Sequence, residues 1–194
     1  MPEAYNIKVK ICLVGDAQVG KTSLVRRYVM DFFDDDYIAT LGTKISKKKL
    51  IIKKDNKEFN LTLSIWDVLG QKELKNIQKM AFQGSKGAIF VCDITREETL
   101  RSVLTWIADV KKVTGEIPFV LIANKCDLTD DYSFSEKDIE AYSSQLNAPY
   151  FMTSAKFGDN VIRMFYKIGD LIIDTIFLQD SNQISNGVKL ANIA

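Results

Sequence analysis

From Ile7 to Val25 the chain reads IKVKICLVGDAQVGKTSLV. The run up to Val14 is apolar enough and short enough for a strand, and Gly15 stops it. From Lys21 to Met30, Leu24, Val25 and Tyr28 recur at helical spacing. Between strand and helix lies Gly15-Asp16-Ala17-Gln18-Val19-Gly20-Lys21-Thr22, which satisfies G-x-x-x-x-G-K-[ST]. The glycines let the backbone curl so that successive N–H groups point into one anion-binding hollow. The helix beginning near Lys21 adds the positive end of its dipole. Lys21 supplies a point charge to the β- and γ-phosphates of a nucleotide, and the Thr22 hydroxyl can ligate Mg²⁺. The plain alternative is a glycine-containing turn beside a surface lysine.

Outward from this loop, strands and helices alternate. Lys44 to Lys54 and Lys57 to Trp66 are extended runs joined at Asp55-Asn56, a hairpin in which Phe59, Leu61, Leu63 and Ile65 alternate. Gly87 to Asp93 is nearly all apolar, as a strand buried on both faces is. A helix is expected from Arg96 to Val113 and a buried strand from Pro118 to Ala123. Ser135 opens another helix, with Asp138 three positions on as a near match to a capping box. That helix ends before Asn147-Ala148-Pro149. Tyr150 to Thr153 is a short strand, and Asp159 to Phe177 is a long amphipathic helix. The pattern predicts an α/β fold: a six-stranded, mostly parallel sheet with one antiparallel edge strand and helices on both faces. One domain is expected over residues 1–178, followed by a largely disordered tail over 179–194. In such sheets ligands bind beyond the carboxyl ends of the strands, so the special residues should follow strands.

Composition narrows the function classes. The 194 residues carry 26 basic and 25 acidic side chains, a net charge of +1. No overall field draws such a chain to nucleic acid or to anionic lipid. There is no histidine, so Ser-His-Asp triads, Cys-His pairs and the commonest zinc sites are excluded. Cys12, Cys92 and Cys126 are scattered and odd in number, which fits reduced thiols in a cytoplasmic protein. MPEAYNIK has no apolar leader, Pro2 rules out N-myristoylation, and KLANIA offers no cysteine to a prenyl group. A cytoplasmic monomer without its own lipid anchor is therefore expected, meeting membranes only through partners or a basic patch. Lys47-Lys48-Lys49, on the expected edge strand, is such a patch. It reads either as a solvated edge that discourages aggregation or as a contact for an acidic partner or lipid headgroup.

A second loop carries base chemistry. Asn124-Lys125-Cys126-Asp127 follows the strand at Pro118 to Ala123. The Asp127 carboxylate can accept from both N1–H and the 2-amino group of guanine, whereas adenine offers neither donor. A site built for such donors rejects a base lacking them by roughly 10⁴ or more. Asn124 would tie the loop, and the Lys125 stem can lie over the base. Ser154-Ala155-Lys156 follows the last strand, where the Ala155 N–H could reach guanine O6.

In this order and at these separations, Gly15 to Thr22, Trp66-Asp67-x-x-Gly70-Gln71, Asn124 to Asp127 and Ser154 to Lys156 resemble the Ras superfamily of small GTPases. GAIFVCDIT (Gly87 to Thr95) and APYFMTSAK (Ala148 to Lys156) are most similar to its Rab branch. The resemblance spans Ile7 to Phe177. It implies a P-loop NTPase fold, the small G domain, that binds GTP and GDP with Mg²⁺ and hydrolyses GTP. It further implies that Thr40, in Tyr37-Ile38-Ala39-Thr40-Leu41-Gly42, closes over the γ-phosphate and joins Thr22 on Mg²⁺. Asp67 would hold the ion through water, and Phe33 would pack edge-on against guanine. Gly70 would offer its N–H to the γ-phosphate, and Gln71 would orient the attacking water. Gln71, Lys21, Thr40 and Gly70 thus take the catalytic roles, and Ser23, Tyr37 and Leu128 complete the nucleotide-binding set. Two switch loops, about 32–43 and 67–83, would report the γ-phosphate to effectors. Exchange factors and GTPase-activating proteins are implied partners. No arginine matches a catalytic finger in cis, since Arg26 and Arg27 lie on the helix after the phosphate loop. The intrinsic rate is expected to be slow, and a partner's arginine would raise it by roughly 10³–10⁵.

The chain departs from the family pattern in several places. Ala17 stands where many relatives carry glycine, Val68-Leu69 replaces a smaller and more polar pair, and Lys72 replaces an acidic residue. The Rab branch's aromatic triad maps onto Ile45, Trp66 and Ala81, so only the tryptophan is aromatic and different partners are expected. The missing prenylation cysteines fit a prokaryotic, archaeal-type member, or a sequence that stops short of them. Two other readings stay open: a module that holds guanine nucleotide with little turnover, and a P-loop nucleotide kinase. Asn124 to Asp127 and the lack of a lid segment with clustered arginines oppose the second.

Overall fold

The computed structural model describes residues 3–33, 43–68, 70 and 75–185. Along the chain run β1 (Glu3–Val14), α1 (Lys21–Met30), β2 (Lys44–Lys54), β3 (Lys57–Asp67), α2 (Lys75–Phe82) and β4 (Gly87–Asp93). There follow α3 (Glu97–Thr114), β5 (Phe119–Asn124), α4 (Glu136–Leu146), β6 (Tyr150–Thr153) and α5 (Val161–Ser185). The six strands form one sheet in the order β2-β3-β1-β4-β5-β6. Only the β2–β3 pair is antiparallel. Asp55 (φ 49°) and Asn56 (φ 60°) turn that hairpin, both left-handed as a two-residue loop between twisted strands requires.

Side-chain alternation divides the interior into two layers. On β4, Ile89 and Val91 face one core while Ala88, Phe90 and Cys92 face the other. Both sides are covered, so every residue of the strand is buried. α1 and α5 close the first core through Leu24, Val25, Met164, Phe165, Ile168 and Ile172. α2, α3 and α4 close the second through Phe82, Leu100, Val103, Trp106, Ile107 and Ile139. At about 25 cal/mol per Å² of apolar surface removed from water, these layers are the main stabilising contribution. On the β2 side of the second face no helix among the described residues covers the sheet: Lys8, Ile45, Lys47, Lys49 and Ile51 are exposed there. The lysine run is split by the pleat, with Lys48 on the opposite face donating to the Val29 carbonyl (3.3 Å).

The sequence expectations meet the structure with four differences, the first that β1 starts at Glu3 and not Ile7, its added residues pairing with Lys57 to Asn60 of β3. α2 falls inside the stretch expected as the second switch loop. Its periodicity is masked because Gln78 is buried while Ile77 and Met80 are exposed. α5 starts at Val161 and not Asp159, since Gly158 (φ 86°) and Asn160 (φ 55°) are left-handed. It also runs on past Phe177 to Ser185, so the first part of the expected tail is helical. Cys12 and Cys92 are buried and unpaired, as expected. At α4, the Ser135 amide and hydroxyl both donate to the Asp138 carboxylate (2.7 Å each).

Candidate functional site

Val14, Asp67, Asp93, Asn124 and Thr153 end β1, β3, β4, β5 and β6. The predicted site residues follow these ends, on the edge of the sheet where α/β folds bind ligands. The phosphate loop turns into α1 at Gly20, whose φ of 95° suits glycine; a Cβ there would strike the Asn124 amide. Lys21 is buried, and its Nζ donates to the Gly15 and Asp16 carbonyls (2.7 Å each). Burial pushes its amine down to about 8, against the opposing pull of the Asp67 and Asp16 carboxylates. Trp106 on α3 donates through Nε1 to Asp16 Oδ1 (2.8 Å), so the Asp16 side chain is tied to the helix layer. Gly70 lies against the same loop, where a Cβ would strike the backbone of Asp16 and Ala17.

Thr22 and Asp67 supply oxygen chemistry. The Thr22 hydroxyl donates to Asp67 Oδ2 (2.5 Å), while Asp67 Oδ1 is buried with no partner among the described residues. Burial raises the Asp67 carboxyl, and Thr22 and Lys21 only partly offset it. A buried carboxylate oxygen without a donor is costly unless a cation or water completes it. The described residues hold no cluster of three or more metal-ligating acids, cysteines or histidines. One hydroxyl and one carboxylate fit Mg²⁺, which keeps waters and phosphate oxygens in its shell and needs few protein ligands.

The base side converges on Asn124, which is 1% exposed. Its Nδ2 donates to the Val19 carbonyl in the phosphate loop (2.9 Å). Its Oδ1 accepts from the Thr153 hydroxyl (3.0 Å) and from the Ala155 amide (3.3 Å). One side chain thus joins the three loops that the sequence marked separately. The Ala155 amide, expected at guanine O6, is directed to Asn124 here. Asp127 is half-buried, Leu128 is exposed, Ser154 is buried, and Lys156 is exposed. Arg27 braces this side: Nε donates to the Ala155 carbonyl (2.9 Å) and Nη2 to the Lys156 carbonyl (2.5 Å).

A second aspartate organises the space between the two loops. Asp93 is fully buried. Its Oδ1 accepts from the Thr95 amide (3.0 Å) and hydroxyl (2.8 Å), and its Oδ2 from Arg96 Nε (3.1 Å) and Lys125 Nζ (2.6 Å). Burial would raise this carboxyl, but the Lys125 ammonium and the Thr95 hydroxyl outweigh it and hold the group below its ordinary value. The Lys125 head is therefore fixed by Asp93, with its backbone left-handed (φ 67°). Arg96 Nη2 also donates to the Ala17 carbonyl (2.9 Å). The sequence pointed only to Arg26 and Arg27 near the phosphate loop, and the structure adds Arg96. The available signal was an acid at a strand end followed three residues later by an arginine at a helix start.

Ser23 lies half-buried on α1, and Phe33 packs against the α1–α5 core. Tyr37, Thr40, Leu69, Gln71 and Lys72 lie outside the described residues. Val68, read as a departure from the family, is buried in the second core. Of the three positions matching the aromatic triad, Ile45 is exposed and Ala81 is buried. Trp66 lies under the Lys10 ammonium, 3.4 Å from the ring centroid.

Residues 10–174 match the Ras family. The Ras-related protein Rab-22A of Mus musculus is 35% identical over 93% of this chain and 89% of its own length. The GTP-binding protein ypt5 of Schizosaccharomyces pombe is 35% identical over 95% of this chain and 88% of its own. The Ras-related protein Rab-21 of Mus musculus is 34% identical over 98% and 83%. These likenesses cover the phosphate loop, the base loop and the sheet between them. The chain belongs to the Ras family of small GTPases and is Rab-like within it.

Proposed function

We propose that this chain is a molecular switch that binds GTP, hydrolyses it to GDP and phosphate, and presents a different surface in each state. The observation that carries this reading is the Asn124 junction. A single buried amide fixes the phosphate loop, the base loop and the Ser154–Lys156 loop to one another. Phosphate binding and base reading are thereby held in one register.

In this reading the phosphate-loop amides and Lys21 hold the β- and γ-phosphates. Asp127 accepts from the guanine edge, and Lys125, anchored at its head by Asp93, lies along the base. Thr22 and Asp67 would hold Mg²⁺, Asp67 through water, with Thr40 joining in the GTP state. When bound there, the ion would supply positive charge to the phosphate oxygens. Gln71 orients the attacking water, and Gly70 donates its N–H to the γ-phosphate. Loss of that phosphate releases the segments about 32–43 and 67–83, which effectors, exchange factors and activating proteins read. The G domain covers residues 1–178, and the segment after it, helical as far as Ser185, is a tail. Among the described residues no helix is long and apolar enough to cross a membrane, and the three cysteines are free. We place the chain in the cytoplasm as a monomer.

The test begins with the nucleotide released on denaturing the purified protein, followed by single-turnover hydrolysis of GTP with Mg²⁺. GDP in the site and slow, measurable turnover are expected. Asp127→Asn should weaken GDP binding and erase most of the preference over ADP, which is roughly 10⁴ for a site that pairs the guanine donors. An adenine nucleotide in the site, or unchanged preference in the variant, refutes the base reading. GTP retained over many hours with Mg²⁺ present refutes the hydrolytic part and leaves a binding module.

A further inference from the structure

We propose that Arg96 is a positioning residue for the phosphate loop: its guanidinium bridges the buried Asp93 carboxylate and the Ala17 carbonyl, and so sets the direction of the loop's next amide. The proposal rests on the nucleotide-binding reading above and adds a residue that neither the motifs nor the family match singles out.

The anchor is rigid. Asp93 sits at the end of a central strand with no exposed surface, and Thr95 occupies its other oxygen. The Arg96 backbone is equally fixed. Its amide donates to the Asp93 carbonyl (2.9 Å), and its carbonyl accepts from the Thr99 amide (3.0 Å) and hydroxyl (2.7 Å). From this base Nε reaches Asp93 and Nη2 reaches Ala17. A guanidinium reaches its two acceptors from different nitrogens held in one rigid plane, whereas an ammonium must reach both from a single nitrogen.

The consequence falls on Gln18. No peptide bond among the described residues is cis. In a trans peptide the carbonyl of one residue and the N–H of the next point in opposite directions. With the Ala17 carbonyl held at Arg96, the Gln18 N–H is turned the other way, to the side where the motif gathers its phosphate donors. Gln18 is also left-handed, with φ 64°. Non-glycine residues seldom adopt that conformation unaided, so an external tie on the preceding carbonyl has a clear purpose. The same Asp93 oxygen takes Lys125 from the base loop, so base loop and phosphate loop meet on one carboxylate.

The test compares GDP with GMP on the full chain, by competition against a fluorescent GDP, for wild type, Arg96→Ala and Arg96→Lys. GMP lacks the phosphate that the loop amides hold, so the GDP-to-GMP affinity ratio reads loop geometry, whereas a general weakening of the fold moves both ligands together. For Arg96→Ala the ratio should fall about tenfold, the usual worth of a charge-assisted hydrogen bond. Arg96→Lys should recover only part of it. Arg96→Gln serves if the alanine variant fails to fold, with the same fall expected. A ratio unchanged in these variants, or GDP and GMP weakened equally, overturns the proposal. A wild-type protein that shows no preference for GDP over ADP overturns the nucleotide reading itself, and the wild-type measurement alone reveals that.

Discussion

Asp67 ends β3 and Asp93 ends β4, the two strands that flank β1. Both carboxylates are buried, at 2% and 0% exposure. Their surroundings differ. Asp93 has donors on both oxygens, two of them cationic side chains from different loops. Asp67 accepts from Thr22 on one oxygen and, among the described residues, has no partner on the other. Burial alone would raise both groups, yet only Asp67 is raised; Asp93 is held low by Lys125 and Thr95. A buried charge completed from within the chain belongs to the architecture. A buried charge that the described residues leave incomplete, beside a hydroxyl and a phosphate loop, is of the kind that a cation or water completes.

The largest effect expected from this contrast is on stability. Asp93→Ala leaves Lys125 and Arg96 without their shared anion, and losing one partner of a buried pair costs about 3–5 kcal/mol. Asp93→Asn keeps the volume and some of the hydrogen bonds and should cost about 1–3 kcal/mol. Asp67→Asn removes an uncompensated buried charge, so without nucleotide and metal it should change stability by less than about 1 kcal/mol, in either direction. Urea unfolding in EDTA measures all three. Equal losses at Asp67 and Asp93 would break the contrast.

Metal dependence comes next. The ratio of GDP dissociation rates in EDTA and in Mg²⁺ should collapse in Asp67→Asn, by about 10–100-fold if Asp67 acts on the ion through water. In Asp93→Asn the same ratio should stay near that of wild type, even though the rates themselves rise. An undiminished ratio in Asp67→Asn would remove that residue from the metal site.

The two aspartates also show what could be read from the chain alone. Asp67 was legible because it lies in a spaced motif, Trp66-Asp67-x-x-Gly70-Gln71, whose chemistry follows from the family resemblance. Strand alternation and the Gly15–Thr22 loop likewise gave the sheet and its binding edge, since both depend on local patterns. Asp93 sits in a run read for its burial and for its likeness to the Rab branch, with no role given to the acid itself. Its partners Arg96 and Lys125 are three and 32 residues away, and nothing local says that they converge. Arg27 and Trp106 were silent for the same reason: each reaches a loop distant in sequence through a crossing of helix over sheet. The short helix α2 was missed on different grounds, because buried Gln78 and exposed Met80 invert the usual pattern.

The smallest effect expected is the response to acid, and it carries a sign. A carboxyl held below its ordinary value of 3.8 stabilises the fold above that pH and loses the contribution as the pH falls through its folded value. The stability gap between wild type and Asp93→Asn should therefore be constant from pH 7 to about 5 and narrow below pH 4. A raised carboxyl does the reverse: Asp67 opposes folding at neutral pH and is relieved on protonation. In EDTA, wild type should gain on Asp67→Asn as the pH falls through the acid range. The two difference curves, taken from urea midpoints on the same samples, should thus run in opposite directions as the pH falls: wild type begins ahead at position 93 and loses its lead, and begins level or behind at position 67 and gains. A gap at position 93 that stays fixed to pH 3 would mean that Lys125 and Arg96 are held by shape alone, and the charge at the end of β4 would lose its structural role.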